Sequence, residues 1–250
     1  MLLRLILSIS NPDMSVPPPV GSQGEEFLRG EADAWFARNH SHVNVSPARR
    51  LLSEWCAPHK SAVGRILEIG AGNGLPLAFL SDVLEADGVG IEPSKQAVEN
   101  WETLRHEVVG GARVSMSVGL ASELPFEDNS FDLVVFGFCL YLVDRSLLYR
   151  AIAEADRVLR DGGFLCIEDF DATTPFSNPY HHKEGISSFK SDYSNIFLSS
   201  GHYHLISKQS YSHSAFQFAS DFDERVSLSL LYKQENDIYL ASRPVRPTMP

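Results

Sequence analysis

The sequence predicts an α/β fold in which helices cover both faces of a mostly parallel sheet. Continuous apolar segments such as 131–136 are typical of strands buried on both faces, and amphipathic segments such as 147–159 separate them. After residue 171 this alternation stops, and segments 203–211 and 225–232 have the pattern of two antiparallel strands. These observations predict a Rossmann-like doubly wound sheet with an antiparallel C-terminal edge, preceded by an N-terminal helical lid.

The individual elements carry recognisable start and stop signals. A lid helix is predicted from Glu25 to about Arg38, and Ser46 can cap a second helix that has Pro47 in its first turn. Ser94 can cap a later helix in the same way. The core elements are predicted as strand 65–69, helix 74–84, strand 88–92, helix 94–106, strand 113–118, strand 131–136, helix 147–159 ended by the segment RDGG, and strand 164–168. A long loop with two prolines, a short helix near 191–198 and the two last strands complete the chain.

The composition indicates an acidic globular protein. The 250 residues include 32 Asp and Glu against 21 Lys and Arg, which gives a net charge of -11. Nucleic-acid binding depends on basic side chains that neutralise phosphates, so this balance argues against a nucleic-acid partner. Cys56, Cys139 and Cys166 are too scattered for a disulfide framework or a zinc site. Because no apolar run approaches the ~20 residues of a membrane span, we expect a cytoplasmic protein without membrane contact.

A glycine-rich turn directly follows the first predicted strand, in the segment RILEIGAGNGLPLAFLS. Gly70, Gly72 and Gly74 permit unusual backbone angles and leave room for a ligand. Glu92 lies 22 residues after Gly70, where its carboxylate can accept hydrogen bonds from both hydroxyls of a ribose. This spacing fits dinucleotides and S-adenosylmethionine alike. The third glycine falls one place early for the dinucleotide pattern, and Glu68 can hold an ammonium group, so S-adenosylmethionine is favoured.

Four segments resemble, in order and spacing, the successive motifs of the class I S-adenosylmethionine-dependent methyltransferases: LEIGAGNG, GIEPS, LPFEDNSFDLVV and EADRVLRDGGFLCIED. The resemblance covers roughly residues 60–170. It implies that the protein binds S-adenosylmethionine and releases S-adenosylhomocysteine. The cofactor-binding positions that follow from it are Glu68, Gly70, Ala71, Gly72, Asn73 and Gly74 in the turn, Glu92 at the ribose, Pro93 and Ser94 beside the adenine, and Phe136 and Gly137 at the end of the fourth strand.

One position departs from the family pattern. Many relatives have Gly-Asp-Ala after the third strand, and their Asp binds the adenine amino group, whereas this chain has Gly119-Leu120-Ala121. We therefore expect adenine to be held by apolar packing from Leu120 and Pro93 and by the backbone near Ala121.

Candidates for the methyl-acceptor side come from the fourth strand and from the N-terminal lid. Tyr141 can point into an acceptor pocket, or it can simply pack in the core. An Asn/Asp-Pro-Pro-Tyr motif is missing after this strand, which argues against methylation of nucleic-acid bases. Trp35 and Asn39 are predicted to bind substrate from a lid that excludes water; packing of that helix on the sheet is the alternative.

A further set of candidates lies in the loop segment YHHKEG after the fifth strand. His181 or His182 can act as a general base for a hydroxyl acceptor, and Tyr180 and Lys183 can bind the substrate. An exposed polar loop without a catalytic role is the alternative. The histidines have no convincing metal spacing, so we expect no metal.

The predicted function is transfer of a methyl group from S-adenosylmethionine to a hydroxyl or amine of a small molecule, of metabolite or sugar type. A non-catalytic S-adenosylmethionine-binding partner protein and an NAD(P)-dependent oxidoreductase are the alternatives. We expect a monomer or homodimer.

The chain is predicted to consist of a flexible arm over 1–24, a single domain over 25–240 and a flexible tail over 241–250. The predicted domain contains a lid, 25–60, a cofactor-binding core, 61–170, and an acceptor-side region, 171–240. The apolar start MLLRLILSIS lacks a signal-peptide cleavage site, so we expect it to belong to the arm or to precede a true start at Met14.

Overall fold

The structure is a computed structural model that describes residues 22–40 and 44–235. The predicted tail over 241–250, and the predicted arm as far as residue 21, lie outside the described residues. The last predicted arm residues are described, and helix begins at Gln23.

Alternating strands and helices build the molecule. The described helices are α1 Gln23–Glu26, α2 Ala32–Asn39, α3 Pro47–Cys56, α4 Leu75–Leu84, α5 Lys95–Leu104, α6 Leu148–Val158 and α7 Ser194–Leu198. The described strands are β1 Arg65–Ile69, β2 Asp87–Glu92, β3 Val114–Val118, β4 Phe131–Gly137, β5 Leu159–Phe170, β6 Phe176–Pro179, β7 Ser187–Lys190, β8 Tyr203–Ser212 and β9 Arg225–Lys233. The predicted caps form, because the Ser46 and Ser94 hydroxyls accept the backbone N–H groups of Arg49 and Ala97 at 3.1 and 3.0 Å.

Seven strands form one sheet in the order β3-β2-β1-β4-β5-β9-β8. The pairings from β3 to β5 are parallel, whereas β9 is antiparallel to both β5 and β8. This arrangement confirms the predicted fold class and its antiparallel C-terminal edge. Strands β2 and β3 follow β1 on one side of the sheet, whereas β5 follows β4 on the other side. The carboxyl ends of β1, β2 and β4 therefore border the crevice where doubly wound sheets bind ligands.

Successive residues of the central strands point to opposite faces of the sheet, and each face has its own core. Ile66 packs with Leu52 of α3 and Leu77 of α4 on one face. Leu67 packs on the other face, in the core to which Ile152 of α6 belongs. Burial on both faces explains why these strands are apolar without alternation.

The fifth strand begins earlier than the sequence predicts. The segment RDGG was expected to end the helix 147–159 ahead of a strand that starts at 164, but β5 starts at Leu159, which pairs with Phe131 across a register shift. Leu159 is fully buried, and the Arg160 guanidinium is paired with Asp132 of β4. The pairing with β4 then resumes at Phe164, and Gly162 has a left-handed φ of 73°, so RDGG forms an irregular bulge within the strand.

Two further segments differ from their predictions. The expected loop after β5 contains the antiparallel hairpin β6–β7, which forms a separate two-stranded sheet. The lid helix is interrupted by a wider turn over Phe27–Glu31, where Gly30 has a φ of 146° that other residues rarely adopt. Within the described residues, no helix has the length and apolar character required to cross a membrane.

Candidate functional site

An open cleft of about 890 Å³, adjoining solvent included, lies at the carboxyl ends of β1, β2 and β4. The glycine-rich turn forms its floor. Gly70 and Gly72 have φ angles of 79° and 55°, and the backbone N–H of Gly70 donates to Ile91 O at 2.8 Å, which ties the turn to β2. A side chain at Gly70 would bring its Cβ within 2.7 Å of Cys139 Cβ. The turn therefore requires glycine both for its backbone angle and for the close approach of β4.

Glu92 is a buried acid on the wall of this cleft. Its Oε2 accepts the backbone N–H of Gly72 at 2.9 Å, and its Oε1 accepts that of Ser94 at 3.1 Å. Burial raises the pKa of Glu92 to about 7, although these two hydrogen bonds act in the opposite direction. Each carboxylate oxygen keeps a lone pair that can accept a ligand hydroxyl.

Beyond Glu92 the cleft wall becomes apolar. Ile91, Pro93, Leu120 and Ala121 line this part, so the structure brings together the residues predicted to pack against adenine. Such a surface can cover a flat heterocycle without a carboxylate partner.

The lid is attached next to this apolar part. The Ser94 hydroxyl donates to Asp33 Oδ1 at 2.7 Å, and the Gln96 backbone N–H donates to the same oxygen at 3.0 Å. Asp33 thereby connects α2 to the start of α5. Trp35, two residues after the anchoring Asp33, lines the cleft. Asn39 instead donates its side-chain N–H to Trp35 O at 2.8 Å, within its own helix.

The predicted cofactor residues divide into two groups. Those that line the cleft are Gly70, Gly72, Glu92, Pro93, Leu120, Ala121 and Gly137. Those that lie behind the wall are Glu68, Ala71, Asn73, Gly74, Ser94 and Phe136. Asn73 Oδ1 accepts the backbone N–H of Leu75 at 3.1 Å at the start of α4, and Phe136 is fully buried in the core beside Phe197. These two side chains have structural partners rather than a place on the cleft surface.

Glu68 forms a buried ion pair with Arg49 of α3, which sequence reasoning missed. The distance from Arg49 Nη2 to Glu68 Oε1 is 2.6 Å, and Glu168 Oε2 lies 3.7 Å from the same nitrogen. Burial raises the pKa of Glu68 to about 7, and the charge of Arg49 opposes this effect. Because a Cβ on Gly137 would lie 2.7 Å from Glu68 Oε1, the carboxylate sits directly behind the cleft wall.

Tyr141 lines the cleft between Phe138 and Phe170, with ring centroids at 5.0 and 5.3 Å. Burial raises the pKa of its hydroxyl well above the ordinary range, so Tyr141 stays protonated at neutral pH. It can donate or accept a hydrogen bond but does not supply a ready base.

Asp169 holds the backbone turn that carries Tyr141, a role that sequence reasoning also missed. Its Oδ2 accepts the backbone N–H groups of Leu140 and Tyr141 at 2.8 and 3.3 Å, and its Oδ1 accepts that of Phe170 at 2.8 Å. Burial raises the pKa of Asp169 to about 7. Its proximity to Leu140 depends on the pairing of β4 with β5, so the local sequence around Asp169 offers no signal for it.

The predicted residues of the acceptor-side loop are not part of the cleft lining, although Tyr180 packs against Phe27, which is. His181 and His182 are exposed in the turn between β6 and β7 and are not among the cleft-lining residues. Tyr180 receives a hydrogen bond from Arg38 at 3.3 Å, and Lys183 lies 3.0 Å from Glu26. These contacts join the hairpin to the lid. Within the described residues, no group of three or more His, Cys, Asp or Glu side chains has the arrangement of a metal site.

Comparison with known proteins agrees with this architecture. Residues 67–167 match the model of a methyltransferase domain family. The chain is 34% identical over 120 residues to the ubiquinone/menaquinone biosynthesis C-methyltransferase of Dinoroseobacter shibae, covering 48% of this chain and 46% of that protein. It is 35% identical over 107 residues to the 27-O-demethylrifamycin SV methyltransferase of Amycolatopsis mediterranei, covering 42% of this chain and 38% of that one. The chain thus spans about half or less of the length of these relatives.

A solved structure resembles most of the chain. The 1,6-didemethyltoxoflavin-N1-methyltransferase of Burkholderia thailandensis, with bound 1,6-didemethyltoxoflavin and S-adenosylhomocysteine, superimposes with a TM-score of 0.65 at 17% identity. The match covers 88% of this chain and 94% of that protein, and at this identity it establishes the fold alone. Residues 67–167, which include the glycine turn and Glu92, therefore match a methyltransferase domain, and the solved structure shares the fold around it.

Proposed function

We propose that the protein transfers a methyl group from S-adenosylmethionine to a hydroxyl or amine of a small molecule, of metabolite or sugar type. The observation that carries this proposal is the position of Glu92. Its buried carboxylate faces the cleft between the glycine turn and an apolar wall.

The cleft residues fit the parts of S-adenosylmethionine. Glu92 can accept hydrogen bonds from the two ribose hydroxyls, and Leu120 and Pro93 supply apolar surfaces for the adenine. Gly70 and Gly137 present only backbone where the methionine part would lie. The bound cofactor supplies a methyl group activated by a sulfonium. The task of the protein is to hold the acceptor atom in line with that group and to keep water away.

The lid and Tyr141 are the parts of this chain suited to that task. Trp35 and Phe27 of the lid and Tyr141 of the β4 end line the same cleft. Their aromatic surfaces exclude water, and the Tyr141 hydroxyl can orient an acceptor by a hydrogen bond. His181 or His182 remains a candidate base only if the β6–β7 turn moves toward the cleft.

The first experiment is calorimetric titration of the full chain with S-adenosylmethionine, S-adenosylhomocysteine and NADH. We expect micromolar binding of the two sulfur compounds and none of NADH. Glu92→Ala should weaken S-adenosylhomocysteine binding at least tenfold, because hydrogen bonds to a charged group contribute roughly 1.5–3 kcal/mol. Glu99→Ala, an exposed acid in α5, is the matched control.

Three results contradict the proposal: binding of NADH alone, no binding of any of the three compounds, or equal affinities in Glu92→Ala and the unsubstituted protein. Once binding is established, radiolabelled methyl transfer to a panel of phenols, sugars and amines tests turnover. Tight cofactor binding with no transfer to any class would instead favour the non-catalytic binding protein.

A further inference from the structure

A second cavity lies beside the main cleft, between the start of α3 and the segment that connects β8 to β9. It measures about 800 Å³, adjoining solvent included. Its walls are rich in aromatic rings, which are contributed by Phe138, Tyr211, His213 and Phe216. Tyr211 and Phe216 form one ring pair, with centroids 4.8 Å apart, and Phe138 and His213 form another at 5.1 Å with nearly parallel planes.

Phe138 lines both this side cavity and the main cleft, so the two spaces adjoin at this residue. Its φ of 54° lies in the left-handed region, which is costly for a large non-glycine residue. The backbone N–H of Phe138 donates to Glu168 O at 2.9 Å, which holds the residue in this conformation. Strained backbone of this kind concentrates at ligand-binding sites.

The acidic group at the side cavity is already engaged. Glu168 Oε1 accepts the hydroxyl hydrogen of Tyr211 at 2.7 Å, and Glu168 Oε2 lies 3.7 Å from the buried guanidinium of Arg49. The hydroxyls of Ser212 and Ser214 are 2.9 Å apart and bond to each other. Glu168 is the acidic residue in the lining of the side cavity, and its carboxylate is therefore not free to hold a cationic amine.

His213 differs from these groups. Its ring is stacked on Phe138 and is exposed to solvent, and within the described part of the chain neither ring nitrogen has a hydrogen-bond partner from the protein. The side cavity therefore offers flat apolar surfaces and one unengaged imidazole. A planar ring bearing a hydroxyl matches both features, since the ring can stack and the hydroxyl can donate to the imidazole.

We propose that the side cavity binds the methyl acceptor, that this acceptor is an aromatic ring carrying a hydroxyl, and that His213 accepts the hydrogen bond from that hydroxyl. This inference rests on the proposed function and narrows its acceptor class. During transfer, the hydroxyl oxygen bonds to the methyl carbon while the bond from methyl to sulfur breaks and its electron pair returns to sulfur. The hydroxyl proton passes to the imidazole of His213, which releases it to water.

The test uses 2-naphthol as the probe and naphthalene as the matched ligand without a hydroxyl. Equilibrium dialysis measures both against the full chain saturated with S-adenosylhomocysteine. We expect the protein to bind 2-naphthol more tightly than naphthalene. His213→Phe keeps a ring to stack on Phe138 but removes the nitrogens, so it should weaken 2-naphthol binding about fivefold and change naphthalene binding less than twofold. His204→Ala, an exposed histidine of β8, should match the unsubstituted protein.

Two results overturn the inference: no binding of 2-naphthol, or equal 2-naphthol affinity in His213→Phe and the unsubstituted protein. S-adenosylhomocysteine binding is measured first on each sample and tests the proposed function separately. If that binding is intact and 2-naphthol does not bind, the acceptor assignment alone is wrong. If S-adenosylhomocysteine itself does not bind, the proposed function is wrong.

Discussion

At the scale of single residues, Glu92 holds two backbone groups in place and also lines the cleft. Two backbone N–H groups fix its carboxylate, and burial still raises its pKa to about 7. Between pH 4.5 and 7, the folded protein therefore holds a proton at Glu92 that the unfolded chain has released. A folded state that binds more protons loses stability as the pH rises, so Glu92 makes the free protein less stable at pH 8 than at pH 5.

This linkage gives a prediction for Glu92→Gln. The substitution removes the titrating group, so the fall in unfolding free energy between pH 5 and pH 8 should shrink by up to about 3 kcal/mol relative to the unsubstituted protein. Urea denaturation at several pH values measures it. Glu99→Gln, in an exposed position, should leave the pH dependence unchanged. Parallel pH curves for Glu92→Gln and the unsubstituted protein would show that burial does not perturb Glu92.

The positions of residues in the cleft were predictable where a short motif specifies them. The spacing from Gly70 to Glu92 led to the cleft, and Leu120 lines it as the departure from the family pattern suggested. Arg49 could not be predicted, because an arginine in a short amphipathic helix ordinarily faces solvent. Only the packing of α3 on the sheet brings it to Glu68.

At the scale of elements, one acidic side chain connects α2 of the lid to the start of α5. Asp33 of α2 accepts two hydrogen bonds from the start of α5. The interruption at Gly30 separates α2 from α1.

Removal of these contacts should loosen the lid selectively. For Asp33→Ala we expect amide hydrogen exchange in α2 to accelerate about fivefold, because roughly 1 kcal/mol of net hydrogen bonding is lost. Exchange in β1 and β4 should stay unchanged. Glu25→Ala, which removes an exposed ion pair of the same lid, serves as the control. If exchange in α2 is the same in Asp33→Ala as in the unsubstituted protein, Asp33 does not anchor the lid.

Elements with strong periodicity were predicted well, and those that depend on distant partners were not. The strand 65–69 and the helix that ends at Leu84 match the structure because each carries its own pattern. The hairpin β6–β7 was predicted as loop, since its two prolines and polar residues favour turns. Its packing against the lid, for example between Phe27 and Tyr180, is a long-range contact that no local signal announces.

At the scale of the whole molecule, the sheet order brings the main cleft and the side cavity to the same edge. The carboxyl ends of β1, β2 and β4 form the cleft, whereas the β5 end and the β8–β9 connection form the side cavity. The central claim is that Glu92 binds the ribose of S-adenosylmethionine in this cleft.

The most direct test is a crystal structure of the full chain with S-adenosylhomocysteine. The account predicts both ribose hydroxyls within hydrogen-bond distance of the Glu92 carboxylate and the adenine in contact with Leu120 and Pro93. A ligand bound elsewhere, or a ribose held by other side chains while Glu92 keeps only its backbone partners, would contradict it.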